Sequence, residues 1–308
     1  MITKITGLMT PRNFFFLLFN IVTVIIFSAP LRELAGLSRK SELYSHILLI
    51  PVISGYFLFS RKRELFSAAQ YCYTFGPLFS LVGIILYFIS LNQGARLNAN
   101  DFMALRVFSI VIFWSGGFLF FYGIRSSRIA AFPILFLFLL APIPSVLVEE
   151  FILFLQFYST EATHLLFKVT GVPILREGFT FHMPGLSIEV AKQCSGIRSS
   201  LALVITSLVA GELFLQTGWK KLILVLSAIP ITIMKNGLRI TTLSLLGVYV
   251  DPRILGSELH KSGGIPFFIL ALVFMAPVLL WLIKTERKDT GGSAKGTGGR
   301  EQGVGGRG

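Results

Sequence analysis

The sequence predicts an all-α polytopic membrane protein with about eight transmembrane helices. Hydrophobic residues make up 54% of the 308-residue chain, and only 14% of its residues are charged. The mean hydropathy is +0.75, which is too high for an ordinary water-soluble domain. The apolar residues also occur in long runs, many of them rich in phenylalanine, as expected of helices that face lipid.

The apolar runs set the number and position of the expected spans. A helix needs about 20 apolar residues to cross the hydrocarbon core of a bilayer. We therefore predict spans at about 13–30, 43–60, 75–91, 104–124, 129–148, 197–215, 219–239 and 266–284. No convincing small-residue cleavage site follows the first run, so we expect an uncleaved span there rather than a signal peptide.

The positive charge indicates a topology rather than a nucleic-acid partner. The formal net charge is +13, but the 28 Lys and Arg residues lie in short clusters between the apolar runs. Such clusters orient a membrane protein and contact anionic lipid headgroups. Placing Arg61-Lys62-Arg63, Lys220-Lys221 and residues 284–288 inside gives a cytoplasmic N-terminus. We expect a multi-pass protein of the cell (inner or cytoplasmic) membrane, with membrane lipids as partners and no nucleic acid.

One sizeable segment, about 149–196, spans no membrane in this topology and forms an external cap. Its first part, 149–169, is apolar with scattered polar residues, which suits an amphipathic helix along the interface. Its second part alternates with period two at 179–182 and at 186–190, on either side of a Pro-Gly pair, which predicts a small β-hairpin.

The chain divides into a membrane domain and a tail. The membrane domain is predicted over 1–288 and includes the external cap. Residues 289–308 are rich in glycine, with interspersed charges and no apolar periodicity. This composition is typical of a disordered tail, here cytoplasmic.

Three chemically complementary residues, separated by long apolar runs, are expected at the outer surface: Cys194, Arg239 and His260. A cysteine at a helix N-terminus gains thiolate character from unpaired N–H groups, and Arg198 adds a cation one turn later. His260 can accept the thiol proton and protonate a leaving amine. Arg239 keeps its proton and can stabilise an oxyanion, with Asn236 one turn earlier to orient the same group.

Simpler interpretations exist for each residue alone. A lone cysteine in an apolar chain is often a small buried hydrophobe, and Lys235 and Arg239 could serve only as interfacial charges. The two cysteines, Cys72 and Cys194, are expected near opposite faces and therefore as free thiols. The coincidence of three complementary residues on one surface favours a thiol-nucleophile site.

Further candidates follow from position and spacing. His46 lies at the outer end of the second predicted span and is the second choice for an acid–base or substrate-contacting role. Ser195 and Gly196 are expected to support the cysteine from the adjoining turn. No histidine or carboxylate pair has metal-ligand spacing, so we expect no metal and no cofactor.

Three other functions are alternatives. A transporter or lipid flippase would use Lys235 and Arg239 to bind an anionic substrate at a broken helix. Glu149-Glu150 resembles the pair of glutamate-based prenyl-protein endopeptidases, but Phe154 stands where an arginine is expected. A membrane acyltransferase using His260 is the third alternative.

The residues around the cysteine resemble those of the exosortase/archaeosortase family of membrane cysteine transpeptidases. The most specific stretch runs from Val190 through Lys192-Gln193-Cys194-Ser195-Gly196 to Ser199. Four further segments are similar to family motifs: Asn236-Gly237-Leu238-Arg239-Ile240, His260 with Gly264 and Phe267, Tyr44-Ser45-His46 with Pro51 and Arg61-Lys62-Arg63, and Gly171-Val172-Pro173 with Arg176 and Gly178. The resemblance covers roughly residues 13 to 284.

The resemblance implies that Cys194 is the nucleophile and that Arg239 and His260 complete a triad. It also implies the substrates: secreted, membrane-anchored proteins whose C-terminal sorting signal, typically Pro-Glu-Pro in bacteria, precedes a transmembrane helix and a basic cluster. Cleavage would form a thioester, which an acceptor amine of unidentified source would resolve at the outer face.

Overall fold

The computed structural model describes residues 10–94, 96–183, 186–192, 196–251, 253 and 264–297. Within these ranges the chain is mostly helical, with one small sheet. It divides into two compact units, Met1–Val148 and Glu149–Gly308. Each unit has its own core and is described separately.

The helices and strands are named in chain order. The first unit contains α1 (Pro11–Ile26), α2 (Ser28–Lys40), a 3₁₀ helix (Glu42–Leu49), α3 (Ile50–Ser60), α4 (Lys62–Ser67), α5 (Phe75–Gln93), α6 (Ala99–Ile129), α7 (Ala131–Phe136) and a second 3₁₀ helix (Leu137–Leu140). Helix α8 (Ser145–Thr170) begins at the boundary between the units. The second unit continues with β1 (Leu175–Glu177), β2 (Thr180–Met183), β3 (Leu186–Glu189), α9 (Ile197–Phe214), α10 (Gly218–Tyr249) and α11 (Gly264–Thr297).

The polytopic all-α prediction is confirmed. Among the described residues, six helical stretches are long and apolar enough to cross a membrane, and the number rises to eight if two bent pairs each count as one span. The bent pairs correct the first and fifth predicted spans. Helices α1 and α2 meet at 72°, and the stretch Ala131–Leu140 meets α8 at 92°. Continuous apolarity predicted straight spans there because hydropathy carries no information on chain direction.

The first unit is organised around the close antiparallel pair α5 and α6. A Cβ atom at Gly76 or Gly83 of α5 would overlap the backbone of Phe120 or Phe113 of α6. Glycine at these crossings therefore lets the two helix backbones approach, as small residues do in membrane helix pairs. An ion pair, Arg106 Nη1 to Glu33 Oε2 at 2.7 Å, joins α6 to α2.

The second unit contains a bundle of α9, α10 and α11. Its apolar core includes Leu203 of α9, Leu224 and Ala228 of α10, and Met275 and Leu282 of α11. Close packing of these side chains on all three helices holds the bundle together, because van der Waals contacts rather than removal from water drive helix association in a bilayer.

The short connection between α9 and α10 is fixed by charged groups. Lys221 Nζ lies 2.5 Å from Glu212 Oε2. The Glu286 carboxylate of α11 accepts the backbone N–H groups of Gln216 at 3.0 Å and Thr217 at 2.8 Å. These N–H groups lie just before α10 begins, where a carboxylate is stabilising.

The predicted β-hairpin is present and belongs to a larger sheet. Strands β2 and β3 pair antiparallel, with Phe181 opposite Ile188 and Met183 opposite Leu186. Strand β1, which the sequence did not predict, pairs with β2 and gives the order β1-β2-β3. At three residues β1 is too short for a period-two pattern to stand out. The predicted turn residues Pro184 and Gly185 lie outside the described residues.

Helix α10 is longer than predicted. The run from Lys235 to Arg239 was expected at a helix end, but α10 continues through it to Tyr249. Ile240, in this added part, is buried with Phe167, Phe181 and Val190 of α8 and the sheet segment. The sheet gives the extra turns of α10 an apolar surface to pack against, and this stabilises the longer helix.

Helix α11 also passes its predicted end. It continues to Thr297 and so includes residues 289–297 of the segment predicted as a disordered tail. Extending an existing helix adds one hydrogen bond for each residue fixed, whereas starting one is costly. Residues 298–308 lie outside the described residues.

Candidate functional site

The carbonyl oxygen of Gly196, the residue just before α9, anchors the first turn of that helix. Gly196 has φ 74° and ψ 19°, the left-handed conformation that glycine adopts without strain. Its carbonyl oxygen accepts hydrogen bonds from Ser199 Oγ at 2.9 Å, Ser200 Oγ at 2.8 Å and Ser200 N at 2.9 Å. The helix that follows the cysteine motif therefore has a defined starting point.

Lys235 of α10 contacts this first turn directly. Its side chain is buried, and its Nζ donates a hydrogen bond to Ser199 Oγ. A Cβ atom on Gly196 would lie 3.3 Å from Lys235 Nζ and 3.2 Å from Asn236 Oδ1. The segment after Cys194 and the segment before Arg239 are thus in contact, although 36 residues separate Ser199 from Lys235.

Helix α8 is the third element of the site. Asn236 is fully buried, and its Nδ2 donates to Ser159 Oγ at 3.0 Å. Gln156, one turn earlier on α8, donates from Nε2 to the carbonyl oxygen of Val190 at 2.6 Å. These two bonds join α8 to α10 and to the segment that leads into the cysteine motif.

The contact between α8 and α10 is close because of a glycine. A Cβ atom on Gly237 would lie 2.9 Å from the Cβ of Ala162. Small residues on both helices permit this approach and bring the Asn236 amide within reach of Ser159.

The two supporting arginines differ in exposure. Arg198, in the first turn of α9, is exposed, whereas Arg239 is half-buried. Arg239 follows Lys235 by one turn of α10, so the two cations share a helix face. The described part of the site thus carries positive charge on two helices, α9 and α10.

Several predicted site residues cannot be located here. Cys194, Ser195 and His260 lie outside the described residues. His46 lies in the first unit, in the 3₁₀ helix Glu42–Leu49, and is half-buried. Four described residues come together: Gly196, Ser199, Lys235 and Asn236. Ser159 and Gln156 of α8 support them through the hydrogen bonds to Asn236 and Val190.

Sequence reasoning missed the contribution of α8. Its buried side chains include Gln156, Ser159, Thr160 and Thr163, which recur on one helical face. A polar stripe with this spacing in an otherwise apolar helix is a recognisable signal for a buried polar contact. The prediction of an interfacial amphipathic helix over 149–169 assigned these side chains no contact with the site.

The described residues offer no evident metal centre. Within the described ranges, no three His, Cys, Asp or Glu side chains are grouped so that they could hold a metal ion. The chemistry available from the described part of the site is cationic and hydrogen-bonding.

Comparison with known families assigns the chain. The family model described as Transmembrane exosortase (Exosortase_EpsH) matches residues 38–277, which is most of the chain and includes the positions of Cys194, Arg239 and His260. No curated protein matches the chain, and no solved structure matches it. The chain therefore belongs to the transmembrane exosortase family, whose members are in general membrane cysteine peptidases or transpeptidases with a protein-sorting role.

Proposed function

We propose that this protein is a cysteine endopeptidase and transpeptidase that cleaves C-terminal sorting signals of membrane-anchored secreted proteins. The observation that carries the proposal is the contact between the cysteine and arginine motifs. Lys235 and Asn236, one turn before Arg239, pack against Gly196, which follows Cys194 by two residues. Family membership supplies the class of reaction.

The first chemical step is nucleophilic attack by the Cys194 thiolate. Its sulfur forms a bond to the carbonyl carbon of the scissile peptide, and the carbonyl oxygen becomes an oxyanion. The Arg239 guanidinium stabilises this charge, because it is always protonated and presents several N–H donors. Collapse of the intermediate breaks the C–N bond and leaves a thioester on Cys194.

His260 is assigned the proton transfers. It takes the thiol proton of Cys194 and gives it to the leaving amine as the C–N bond breaks. In the second step an acceptor amine attacks the thioester carbon, its proton passes to His260, and the Cys194 thiolate is regenerated. Water in place of the amine would give hydrolysis.

Lys235 and Asn236 are assigned a positioning role in this scheme. Lys235 holds Ser199, and Ser199 in turn holds the carbonyl of Gly196. Asn236 is held by Ser159 of α8. Each link fixes the backbone on which the nucleophile is carried, and misplacement by about 1 Å can cost about a hundredfold in rate.

The substrate class follows from membrane anchoring. A secreted protein held by its own transmembrane helix presents its cleavage site at a fixed depth, which favours a site at the outer face of the inner membrane. The Pro-Glu-Pro type of signal implied by the resemblance is the first candidate.

The transporter alternative fits the structure less well. It needs a broken helix at Lys235 and Arg239 so that backbone groups can bind an anion. Helix α10 is continuous from Gly218 to Tyr249, and Lys235 already donates to Ser199.

An in-cell processing assay tests the proposal. A reporter ending in a Pro-Glu-Pro signal, a transmembrane helix and a basic cluster is co-expressed with the enzyme, and its size is followed by blotting. We expect the wild type and Cys72→Ala to shorten the reporter, and Cys194→Ala to leave it uncut at an equal amount of membrane-inserted enzyme. Normal shortening by Cys194→Ala would exclude the mechanism.

A further inference from the structure

A polar cavity lies in the first unit, where the segment before α5 meets the end of α6. The backbone N–H groups of Gln70 and Cys72 donate to the carbonyl oxygens of Tyr122 at 3.1 Å and Phe120 at 2.9 Å. Gly123, with φ 78°, interrupts α6 beside these bonds. The cavity has a volume of about 470 Å³, and the two backbone bonds hold its shape.

The lining of this cavity is cationic. Arg125 and Arg128 line it together with Gln70, Tyr71 and Cys72, and none of the lining residues is acidic. Among the described residues, neither arginine forms a salt bridge, and both are exposed. A third guanidinium, that of Arg12, lies 4.8 Å from the centre of the Tyr71 ring. The cavity therefore offers at least two cations for an anionic ligand.

An apolar groove shares one wall with the cavity. Its volume is about 440 Å³, and Phe15, Leu18, Phe19 and Val22 of α1 line it with Phe120 and Phe121 of α6. Tyr71 lines both the cavity and the groove. A ligand lying across Tyr71 would thus have an anionic group on one side and an apolar chain on the other.

The location favours a lipid. Cys72 precedes the candidate span Phe75–Gln93, and Arg125 and Arg128 lie near the end of the candidate span Ala99–Ile129. Both elements therefore reach the level where hydrocarbon gives way to headgroups. The exposed Tyr71 and Tyr73 rings stack at 5.7 Å between centroids, as amphipathic aromatic residues do at this level.

We propose that the cavity and groove form a binding site for one anionic phospholipid, with its phosphate on Arg125 and Arg128 and an acyl chain along α1. The inference depends only on residues of the first unit and is independent of the proposed peptidase chemistry. Its signature is selectivity for a net negative headgroup over a zwitterionic one.

Cys72 provides the reporter. The chain has two cysteines, so full-length Cys194→Ala carries Cys72 as its single thiol. This protein is placed in nanodiscs of phosphatidylcholine alone or with phosphatidylglycerol, and alkylation of Cys72 by uncharged N-ethylmaleimide is followed by mass spectrometry. We expect alkylation to be several-fold slower with phosphatidylglycerol, because the bound headgroup covers the thiol. Inorganic phosphate added to the phosphatidylcholine discs should leave the rate unchanged.

A charge-matched control separates the site from the surface. Adding Arg125→Gln and Arg128→Gln should abolish the slowing by phosphatidylglycerol. Lys62→Gln with Arg63→Gln removes the same charge from α4, outside the cavity lining, and should preserve it. Equal slowing in Cys194→Ala and in both of its double-substituted derivatives would mean that phosphatidylglycerol acts only through the surface potential, and this would overturn the proposal. Equal alkylation rates in the two lipids would also overturn it. Protection by inorganic phosphate would overturn the assignment to a lipid.

A second measurement does not require the variant with Arg125→Gln and Arg128→Gln to be stable. Native mass spectrometry of the Cys194→Ala protein released from mixed-lipid discs should retain one phosphatidylglycerol in preference to phosphatidylcholine. Retention without preference would contradict the proposal.

Discussion

The two ends of the antiparallel helix pair α9 and α10 differ in the contacts that their charged side chains make. At the end where the chain turns from α9 into α10, cations and acids are matched. Lys221 pairs with Glu212 at 2.5 Å, and Glu286 accepts the backbone N–H groups of Gln216 and Thr217. This pattern stabilises the turn, because each of these two carboxylates accepts from a nearby donor.

At the opposite end the buried lysine makes a different kind of contact. Lys235 is buried, and among the described residues its hydrogen bond goes to the hydroxyl group of Ser199 rather than to a carboxylate. Arg239 follows one turn later. Burying a cation without an acid costs free energy. The benefit is a fixed positive potential beside the cysteine motif, where negative charge develops in the proposed reaction. One end therefore serves stability, and we infer that the other serves chemistry.

The largest effect is expected at Arg239. Arg239→Lys keeps the charge but loses the planar set of donors, so we expect reporter processing to fall by about a hundredfold or more. The measurement is the initial rate of reporter cleavage in membranes, normalised to inserted enzyme. Arg253→Lys makes the same chemical change at an exposed residue of the second unit and should cleave normally. Near-normal turnover of Arg239→Lys would reduce its role to topology.

Substitution of Lys235 should lower processing and leave stability unchanged, whereas substitution of Lys221 should do the reverse. Lys235→Met removes the link to Ser199, and we expect processing to drop by about tenfold or more. Folding should be preserved, because replacing a buried charge by an apolar side chain of similar length is often neutral or stabilising. Cleavage rate and thermal unfolding of the purified protein are measured together.

Lys221→Met is the matched change at the other end. Here the nearly buried Glu212 loses its cation, and we expect a loss of about 1–3 kcal/mol in unfolding free energy. Processing per folded enzyme should stay at the wild-type level. If both variants lost activity and stability together, the distinction between the two ends would fail.

The smallest effect is expected at Gly196, which lies just before α9. Gly211, near the other end of α9, is the matched control. Alanine at position 196 must adopt φ near +74°, which costs about 1–2 kcal/mol, and its Cβ would press on Asn236 and Lys235. We expect processing by Gly196→Ala to slow by up to about tenfold. Gly211→Ala is the control, since its Cβ would meet Lys221 Cβ at an ordinary 3.5 Å. A normal rate for Gly196→Ala would show that this turn tolerates displacement.

The spans and the hairpin could be predicted because their signals are local. Long apolar runs predicted the membrane helices, and period-two alternation predicted the hairpin of β2 and β3, although not its register. The end of α10 could not be predicted in the same way. The polar run at Lys235 and Asn236 normally indicates a helix end, but its partners Ser199 and Ser159 lie 36 and 77 residues away. Only the tertiary fold supplies such partners.

The candidate site, too, was predictable only in part from the sequence. Residue chemistry selected Cys194, Arg239 and His260, and the structure adds the contacts of Gly196, Lys235 and Asn236 that fix the surrounding backbone. The positions of Cys194 and His260 lie outside the described residues, so their catalytic roles stay predictions. The polar stripe of α8, which includes Gln156 and Ser159, was present in the sequence, but only the tertiary fold supplies its partners Val190 and Asn236.

The most direct test of the central claim is detection of the acyl-enzyme. Full-length enzyme in membranes is mixed with excess reporter, quenched in acid at short times and digested, and the peptide that contains Cys194 is analysed by mass spectrometry. We expect a reporter-derived acyl group on Cys194 that hydroxylamine removes and that Arg239→Lys greatly reduces. Cleavage of the reporter with Cys194 unmodified at every time point would contradict it.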